Sequence, residues 1–267
     1  MKLSTRVKLT LRTIAIAYLG ILVVLPVVTI LARTFGPGVG AFLASVSTPA
    51  AISALNLTLL ILAIVVPLNV VFGTLTALLL VRGRFRGKAA LQAVLDLPFA
   101  VSPVVVGVSL IALWGAGGWF GGLTKVGIPI IFAVPGMVLA TAFVTVPFVV
   151  REVEPVLREL GEDQEQAAAT LGARPSQIFW RITVPSIRWG LLYGTLLTIS
   201  RGLGEYGAVL LVSSNLPGIS QTLTLLVHAR YVDSANTYGA LAVATLLMGL
   251  SLLTLIATAA LERRSRA

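Results

Sequence analysis

Long apolar runs separated by short polar segments make up most of the chain. Six of these runs are close to the about 20 apolar residues that an α-helix needs to cross a bilayer, and they cover residues 13–32, 51–81, 97–114, 128–150, 189–212 and 238–261. The pattern predicts an all-α polytopic membrane protein with six transmembrane helices in one transmembrane domain, residues 1–267. The second run is too long for one straight span and contains Pro67, so we expect that helix to tilt or kink.

The composition supports a membrane protein and excludes several kinds of site. Hydrophobic residues make up 57% of the chain and charged residues only 11%, which is outside the range of soluble domains. The first apolar run ends at Ala32 without the small-residue pattern of a cleavage site, so we expect an uncleaved anchor rather than a signal peptide. The chain has no cysteine and one histidine, His228, which excludes disulfides, cysteine-based metal sites and Cys/His nucleophiles.

The basic residues predict the side of the membrane on which each loop lies. Sixteen of the 20 Lys and Arg residues lie in the terminal segments and in the loops after the second and fourth runs, whereas three lie in the other loops. Positive residues accumulate on the cytoplasmic side of membrane proteins. We therefore expect both termini in the cytoplasm and a long cytoplasmic loop over residues 151–188. The net charge of +10 then reflects topology and not nucleic-acid binding.

The first part of this loop predicts a short helix that ends in a turn. Ala167, Ala168 and Leu171 share one face at helical spacing. Gly172 suits the left-handed residue that commonly ends a helix.

A second short helix is predicted directly after that turn. Pro175 can start it, and Pro185 should end it before the fifth apolar run. Its apolar face consists of Ile178, Phe179 and Ile182. Such a helix–turn–helix can lie in a groove on another protein or on the bilayer surface, and amphipathicity alone does not separate these two interpretations.

The spacing of this loop resembles the "EAA" loop of permease subunits of bacterial ATP-binding-cassette importers. That motif reads Glu-Ala-Ala, three residues, Gly, nine residues, Ile-x-Leu-Pro, and its alanines, glycine, isoleucine and proline fall here on Ala167, Ala168, Gly172, Ile182 and Pro185. The chain departs from it at Gln166, which occupies the acidic position while the acid stands one residue earlier at Glu165, and at Val184 in place of Leu. The resemblance implies that a partner ATPase docks on Glu165, Gln166, Ala167, Ala168, Gly172, Ile178, Ile182 and Pro185.

Three further stretches resemble the W-type subunit of the sulfate/thiosulfate permease pair. They are "FGTLTALLLVRGRFRGKAALQAVLDLPFAVSPVVVG", "PGMVLATAFVTVPFVVRE" and "RGLGEYGAVLLVSS". Molybdate permeases share much of this pattern, so a molybdate or tungstate permease is the alternative. The resemblance implies a type I (MetI-like) permease fold in the bacterial inner membrane. It also implies a second permease subunit of the T type, two cytoplasmic ATPase subunits and an extracytoplasmic sulfate-binding protein as partners.

The chain itself contains no phosphate-binding loop of the Gly-x-x-x-x-Gly-Lys-Ser/Thr type. We therefore expect no cofactor on this chain and ATP hydrolysis on the partner subunits. A membrane enzyme would need a nucleophile–base pair or metal ligands within the spans, and none is present. A proton-coupled secondary carrier could use Glu205, but it gives no reason for the EAA-like loop.

One ionisable pair lies inside a predicted span. Arg201 and Glu205 share a helix face at positions i and i+4, well past the cytoplasmic interface. They either line or gate the anion path, or they form a buried pair that fixes helix packing. Gly204 and Gly207, beside them, permit a close helix crossing in either case.

Overall fold

The computed structural model describes residues 5–265, and in that part of the chain it contains helices, turns and loops but no strand. The all-α prediction is therefore confirmed. Lys2 and Arg266, which contribute to the predicted orientation, lie outside the described residues. Four helices are long and apolar enough to span a membrane, or five when one bent helix pair counts as a span. The predicted number of six continuous spans is not reproduced in residues 5–265.

The N-terminal helix is almost entirely exposed. Helix α1 (Thr5–Leu19) continues through a π-helical turn (Gly20–Val24) into α2 (Leu25–Phe35). The π turn directly precedes Pro26, which lacks the N–H of a regular helical bond. The end of α2 is anchored to α15, because the Thr34 hydroxyl lies 2.9 Å from that of Thr245. Most of this apolar surface must face lipid or another subunit.

The next two elements bring the chain back across the bilayer. Helix α3 (Val39–Val46) is followed by α4 (Pro49–Arg82), which has 34 residues and runs without interruption through Pro67. At 1.5 Å per residue, α4 is about 51 Å long, against a hydrocarbon core of about 30 Å. The part that contains Arg82 therefore projects beyond the bilayer.

The third predicted span, residues 97–114, is sharply bent. It falls on the end of α5 (Lys88–Ala100) and on α6 (Pro103–Trp114), and the chain bends by 115° between these two helices. The bend lies at Val101 and Ser102, both of which have extended backbone with ψ near 135°. Pro103 explains this conformation, since the proline ring clashes with a helical residue before it.

The fourth span begins later than the sequence predicts. After the short α7 (Gly122–Lys125), α8 starts at Val134 and not at residue 128 (Val134–Leu160). Pro135 occupies its first turn, where a missing N–H costs nothing. The residues before it are irregular, and the Phe132 N–H donates to Val212 O at 2.7 Å.

The remaining helices form the loop that the sequence predicts to be cytoplasmic and the second half of the bundle. They are α9 (Asp163–Thr170), α10 (Pro175–Ile178), a π turn (Phe179–Thr183), α11 (Val184–Ser186), α12 (Arg188–Leu203), α13 (Gly207–Val212), α14 (Leu223–His228), a π turn (Ala229–Asp233) and α15 (Thr237–Ser265). The fifth predicted span, 189–212, is therefore wrong as a continuous helix. It breaks at Gly204–Tyr206, between α12 and α13.

Helices α4, α8 and α12 form the centre of the bundle. A methyl group added at Gly194 of α12 would lie 2.8 Å from Val149 Cα, so the two backbones touch there. Val149, Val150 and Val153 of α8 are buried in the same layer. Close backbone packing through small residues is the usual way in which membrane helices associate. These three helices connect the cytoplasmic loop to the membrane interior.

Candidate functional site

The two arms of the cytoplasmic loop meet at a tight corner. Gly172 has φ +85°, and its N–H and that of Ala173 return to the carbonyls of Ala169 and Ala168. This is the Schellman arrangement, in which glycine supplies the left-handed residue. Pro175 opens α10 as predicted. The sequence thus determined the corner correctly.

Pro185 does not end the second arm, which corrects the sequence prediction. The helical residues continue to Ser186, and the break comes at Ile187 (φ −91°, ψ 5°), directly before α12. The π turn before Pro185 gives the physical reason. There the Val184 N–H bonds to Phe179 O in a wider ring, which relieves the clash that a proline causes in a regular helix.

The loop exposes two large apolar side chains. Leu171 is 90% exposed at the corner, and Trp180 is 67% exposed on the second arm. Ala167 is also exposed, whereas Ile178 and Ile182 are half-buried. Helical spacing did not identify Trp180, because it lies off the apolar face that the sequence predicts. A tryptophan in a charged loop is the signal that could have indicated it.

Glu165 joins the two arms to the end of α4. Its Oε2 lies 3.1 Å from Arg82 Nε, and its Oε1 accepts a hydrogen bond from Thr183 Oγ1 at 2.8 Å. Gln166 instead donates to the exposed Glu162 Oε2 at 3.2 Å. The acid that stands one residue before the EAA position is therefore the one that holds the loop in place.

Arg82 is the partner of Glu165 in this contact. From the sequence, it was one of the basic residues that predict the orientation in the membrane. Its guanidinium also donates to Gly161 O and, at 3.5 Å, to Leu157 O. These carbonyls lie at the C-terminal end of α8, where the helix dipole favours a positive charge. Arg82, Glu165 and Thr183 thus connect α4, α8 and both arms of the loop. We call these three residues the latch.

In the membrane interior, Arg201 and Glu205 form an ion pair at the break between α12 and α13. Glu205 Oε2 lies 2.8 Å from Arg201 Nη1, without the alignment of a hydrogen bond. Glu205 Oε1 accepts the Ala208 N–H at 3.0 Å. The Glu205 side chain is 1% exposed and that of Arg201 is 34% exposed. The ion pair and the Ala208 N–H compensate the charge of this buried carboxylate at the start of α13, although Oε2 accepts no hydrogen bond. This arrangement favours packing over gating as its role.

The two predicted glycines differ in their surroundings. A methyl group at Gly207 would lie 3.1 Å from Pro103 Cβ, so Gly207 sits at the crossing with α6. At Gly204 the nearest atom would be 3.8 Å away. Gly204 therefore permits the backbone break and not a close crossing.

The segment around His228 packs against neighbouring helices. The His228 ring lies 5.5 Å from that of Tyr206. Arg230 donates to Thr48 Oγ1 at 2.7 Å and to Gly239 O at 3.0 Å, and burial lowers the pKa of its guanidinium. The segment therefore ties α4 to α15. Within residues 5–265, no group of three His, Cys, Asp or Glu side chains could hold a metal ion.

Comparison with known proteins places this geometry in a family. Residues 69–267 match the model of the binding-protein-dependent transport system inner membrane component. The chain is 47% identical to "Sulfate permease 2, chloroplastic" of Chlamydomonas reinhardtii over 93% of this chain and 68% of that protein. It is 46% identical to "Sulfate transport system permease protein CysW" of Synechocystis over 97% of this chain and 94% of that protein.

A solved structure shares the fold. It is the bacterial alginate ABC transporter in complex with an alginate pentasaccharide-bound periplasmic protein, with a TM-score of 0.75 over 97% of this chain and 94% of the matched chain. The sequence identity is only 15%, so this likeness concerns the fold alone.

Proposed function

The chain belongs to the family of binding-protein-dependent transport system inner membrane components, and we propose that it is the W-type permease subunit of an ATP-driven importer for sulfate and thiosulfate. The observation that carries this proposal is its 46% identity to a CysW sulfate permease over nearly the full length of both chains. The substrate follows from that likeness, and the mechanism follows from the loop and the latch.

The coupling mechanism that we propose is mechanical. Two cytoplasmic ATPase subunits grip this permease and a T-type partner, and one of them contacts the corner formed by Leu171, Gly172 and Trp180. ATP binding on those subunits moves the loop. Because the latch joins the loop to α4 and α8, the loop and the central helices move as one body, which is the form that such transitions commonly take. The chain binds no cofactor in this scheme.

The positions of the basic residues along the chain indicate how the subunit is oriented in the membrane. We propose a multi-pass subunit of the bacterial inner membrane with both termini in the cytoplasm and lipid around the bundle. An extracytoplasmic binding protein delivers the anion. Arg33 and Lys125 are among the few basic residues on the side of that protein.

Uptake of labelled sulfate tests the substrate. A strain that lacks this chain should lose sulfate uptake, and the restored gene should return it. Excess thiosulfate should compete strongly and molybdate weakly. The second candidate, a molybdate or tungstate importer, rests on the shared sequence pattern. It would be favoured if molybdate abolished uptake at concentrations where thiosulfate had no effect.

Gly172→Trp should abolish docking of the ATPase while leaving membrane insertion intact. The position lies outside every span, and no atom lies within 4 Å of an added methyl group, so the bulk of the indole projects from the corner. We expect at least a tenfold loss of ATPase subunits in pull-down from detergent extracts.

Gly127→Trp is the matched control for this substitution. Gly127 also has φ +85° and open space, so the backbone strain is the same, but it lies in the predicted outer loop. Normal ATPase recovery with Gly172→Trp would disprove docking at the corner. Equal losses in both variants would point to misfolding instead of blocked docking.

A further inference from the structure

A cavity of about 530 Å³ lies between α14, α15 and the break that follows α12. Its polar lining consists of Tyr206, Thr224, His228 and Ser251. Apolar side chains of α14 and α15, including Val227 and Met248, form the rest of the wall. The cavity is open on one side.

One polar residue of the lining, Ser251, lies deep in the predicted span. It is 14 residues into α15 from Thr237, or about 21 Å along a helix that rises 1.5 Å per residue. The hydrocarbon core is about 30 Å thick. Polar side chains at that depth commonly mark a pathway for ions or substrates, because they are costly when they face lipid. We therefore expect the open side of the cavity to face water or protein.

His228 is held in place but lacks a hydrogen-bond partner. Its Nδ1 is buried and has no partner among residues 5–265. The Tyr206 ring lies beside the imidazole, tilted by 35°. Thr224 Oγ1 donates to Glu205 O at 2.7 Å, which connects the cavity wall to the break. Because Nδ1 is buried, the ring can meet a ligand in the cavity only through its other nitrogen, Nε2.

The polar side chains that line the cavity can all donate hydrogen bonds, while Asp233 acts electrostatically on Tyr206 from outside the cavity. No acidic side chain lines it. The adjacent Glu205 is neutralised by Arg201 and by the Ala208 N–H, so it adds little repulsion. Imidazole, phenol and hydroxyl groups can all donate hydrogen bonds to an oxyanion.

We propose that His228, with Tyr206 and Ser251, forms a transit site for a tetrahedral oxyanion in the wall of the translocation path. The choice of oxyanion rests on the proposed function. His228 donates one hydrogen bond to an anion oxygen, and the two hydroxyl groups orient the anion. The surrounding apolar wall keeps the contact weak enough for release, as transport requires.

Transport by the complete importer in vesicles tests the imidazole. With labelled sulfate and loaded binding protein, His228→Leu should lower uptake per assembled transporter at least tenfold. His228→Gln keeps an N–H donor and should retain at least a third of the uptake. ATPase stimulation by the binding protein should persist in both variants, which shows that they assemble. Uptake by His228→Leu at more than half the wild-type rate would overturn the proposal.

Thiol labelling tests the cavity independently of transport. The natural chain has no cysteine, so one introduced thiol reports one position of this subunit. Ser251→Cys should react with a methanethiosulfonate reagent that carries a sulfonate group, and added sulfate should slow the reaction at least fivefold. Leu253→Cys is the control, because Leu253 lies two residues further along α15, on a different face, and is exposed. It should not react.

The two ways of failing are distinguishable. If Ser251→Cys is as unreactive as Leu253→Cys, lipid fills the cavity and the transit site is wrong. If the wild-type importer takes up no sulfate, the proposed function is wrong. Rapid reaction of Ser251→Cys with the sulfonate reagent would still show that anions can enter the cavity.

Discussion

Arg201→Gln should sharply reduce the amount of folded protein, because it leaves the Glu205 carboxylate buried without its ion partner. Removing one member of a buried pair costs about 3–5 kcal/mol. Glu205→Gln should also destabilise the protein, since a neutral amide is a weaker partner for Arg201 and a weaker acceptor for Ala208 N–H. The double variant should be milder than the sum of the two, which is the signature of coupled residues. Thermal stability in detergent and folded yield measure the effect.

A second pair in the same chain provides the control. Arg151 and Asp96 also form a close pair, with 2.7 Å between Arg151 Nη2 and Asp96 Oδ1, but their side chains are 56% and 51% exposed. Exposed pairs contribute about 0–1 kcal/mol. Asp96→Asn should therefore change stability little.

The opposite outcome would assign Arg201 to the anion path. In that case Arg201→Gln, Glu205→Gln and the double variant would all fold at normal yield, and uptake would be lost only where Arg201 is changed. Measuring uptake beside yield for all three variants separates the two roles.

Glu165→Gln should uncouple ATP hydrolysis from transport. The substitution removes the charge closest to Arg82 and weakens the acceptor for Thr183, so the connection between the two arms and α4 loosens. Glu162 Oε1, 3.8 Å from Arg82 Nη1, remains as a weaker partner. Charge-assisted hydrogen bonds of this kind are about twice as strong as neutral ones. Because the exposed corner at Leu171 and Trp180 is unchanged, ATPase docking should persist. We expect at least a fivefold fall in sulfate taken up per ATP hydrolysed.

Gln166 offers a neighbouring control on the same helical turn. Its amide donates to Glu162 Oε2 and takes no part in the latch, so Gln166→Glu and Gln166→Ala should keep more than half of the coupling. If the ranking were reversed, with Gln166 variants uncoupled and Glu165→Gln normal, position 166 would need its amide and the latch would not transmit the motion.

The backbone preferences of single residues were sufficient to predict the corner of the loop. Gly172 and Pro175 act through their own backbone preferences, so their positions in the sequence predicted a left-handed residue and a helix start. Family membership could also be predicted from the sequence, because the EAA-like motif is defined by residue types and their spacing. The break at Gly204–Tyr206 could not be predicted in this way. The run that contains it, "GLLYGTLLTISRGLGEYGAVLLV", holds several glycines and one charged pair but is otherwise mostly apolar, and glycine is common in membrane helices.

The sequence also did not show which residues the charged side chains contact. Glu165 lies 83 positions from Arg82, and nothing in the spacing indicates that they meet. The sequence identified Glu165 as an acid displaced by one residue, and only the packing of α4 against α8 brings the guanidinium to it. His228 and Tyr206 came together for the same reason.

The sequence by itself determined the all-α class, the apolar runs, the helix–turn–helix corner and the permease family. Each of these depends on composition or on residues within a few positions of one another, where helical periodicity and backbone preference act directly. The tertiary structure alone decided where helices bend or break, which charges pair and which polar groups line a cavity. Those features depend on contacts between distant segments: a carboxylate can end a helix inside the bundle only when a neighbouring arginine and a free N–H are positioned to satisfy it.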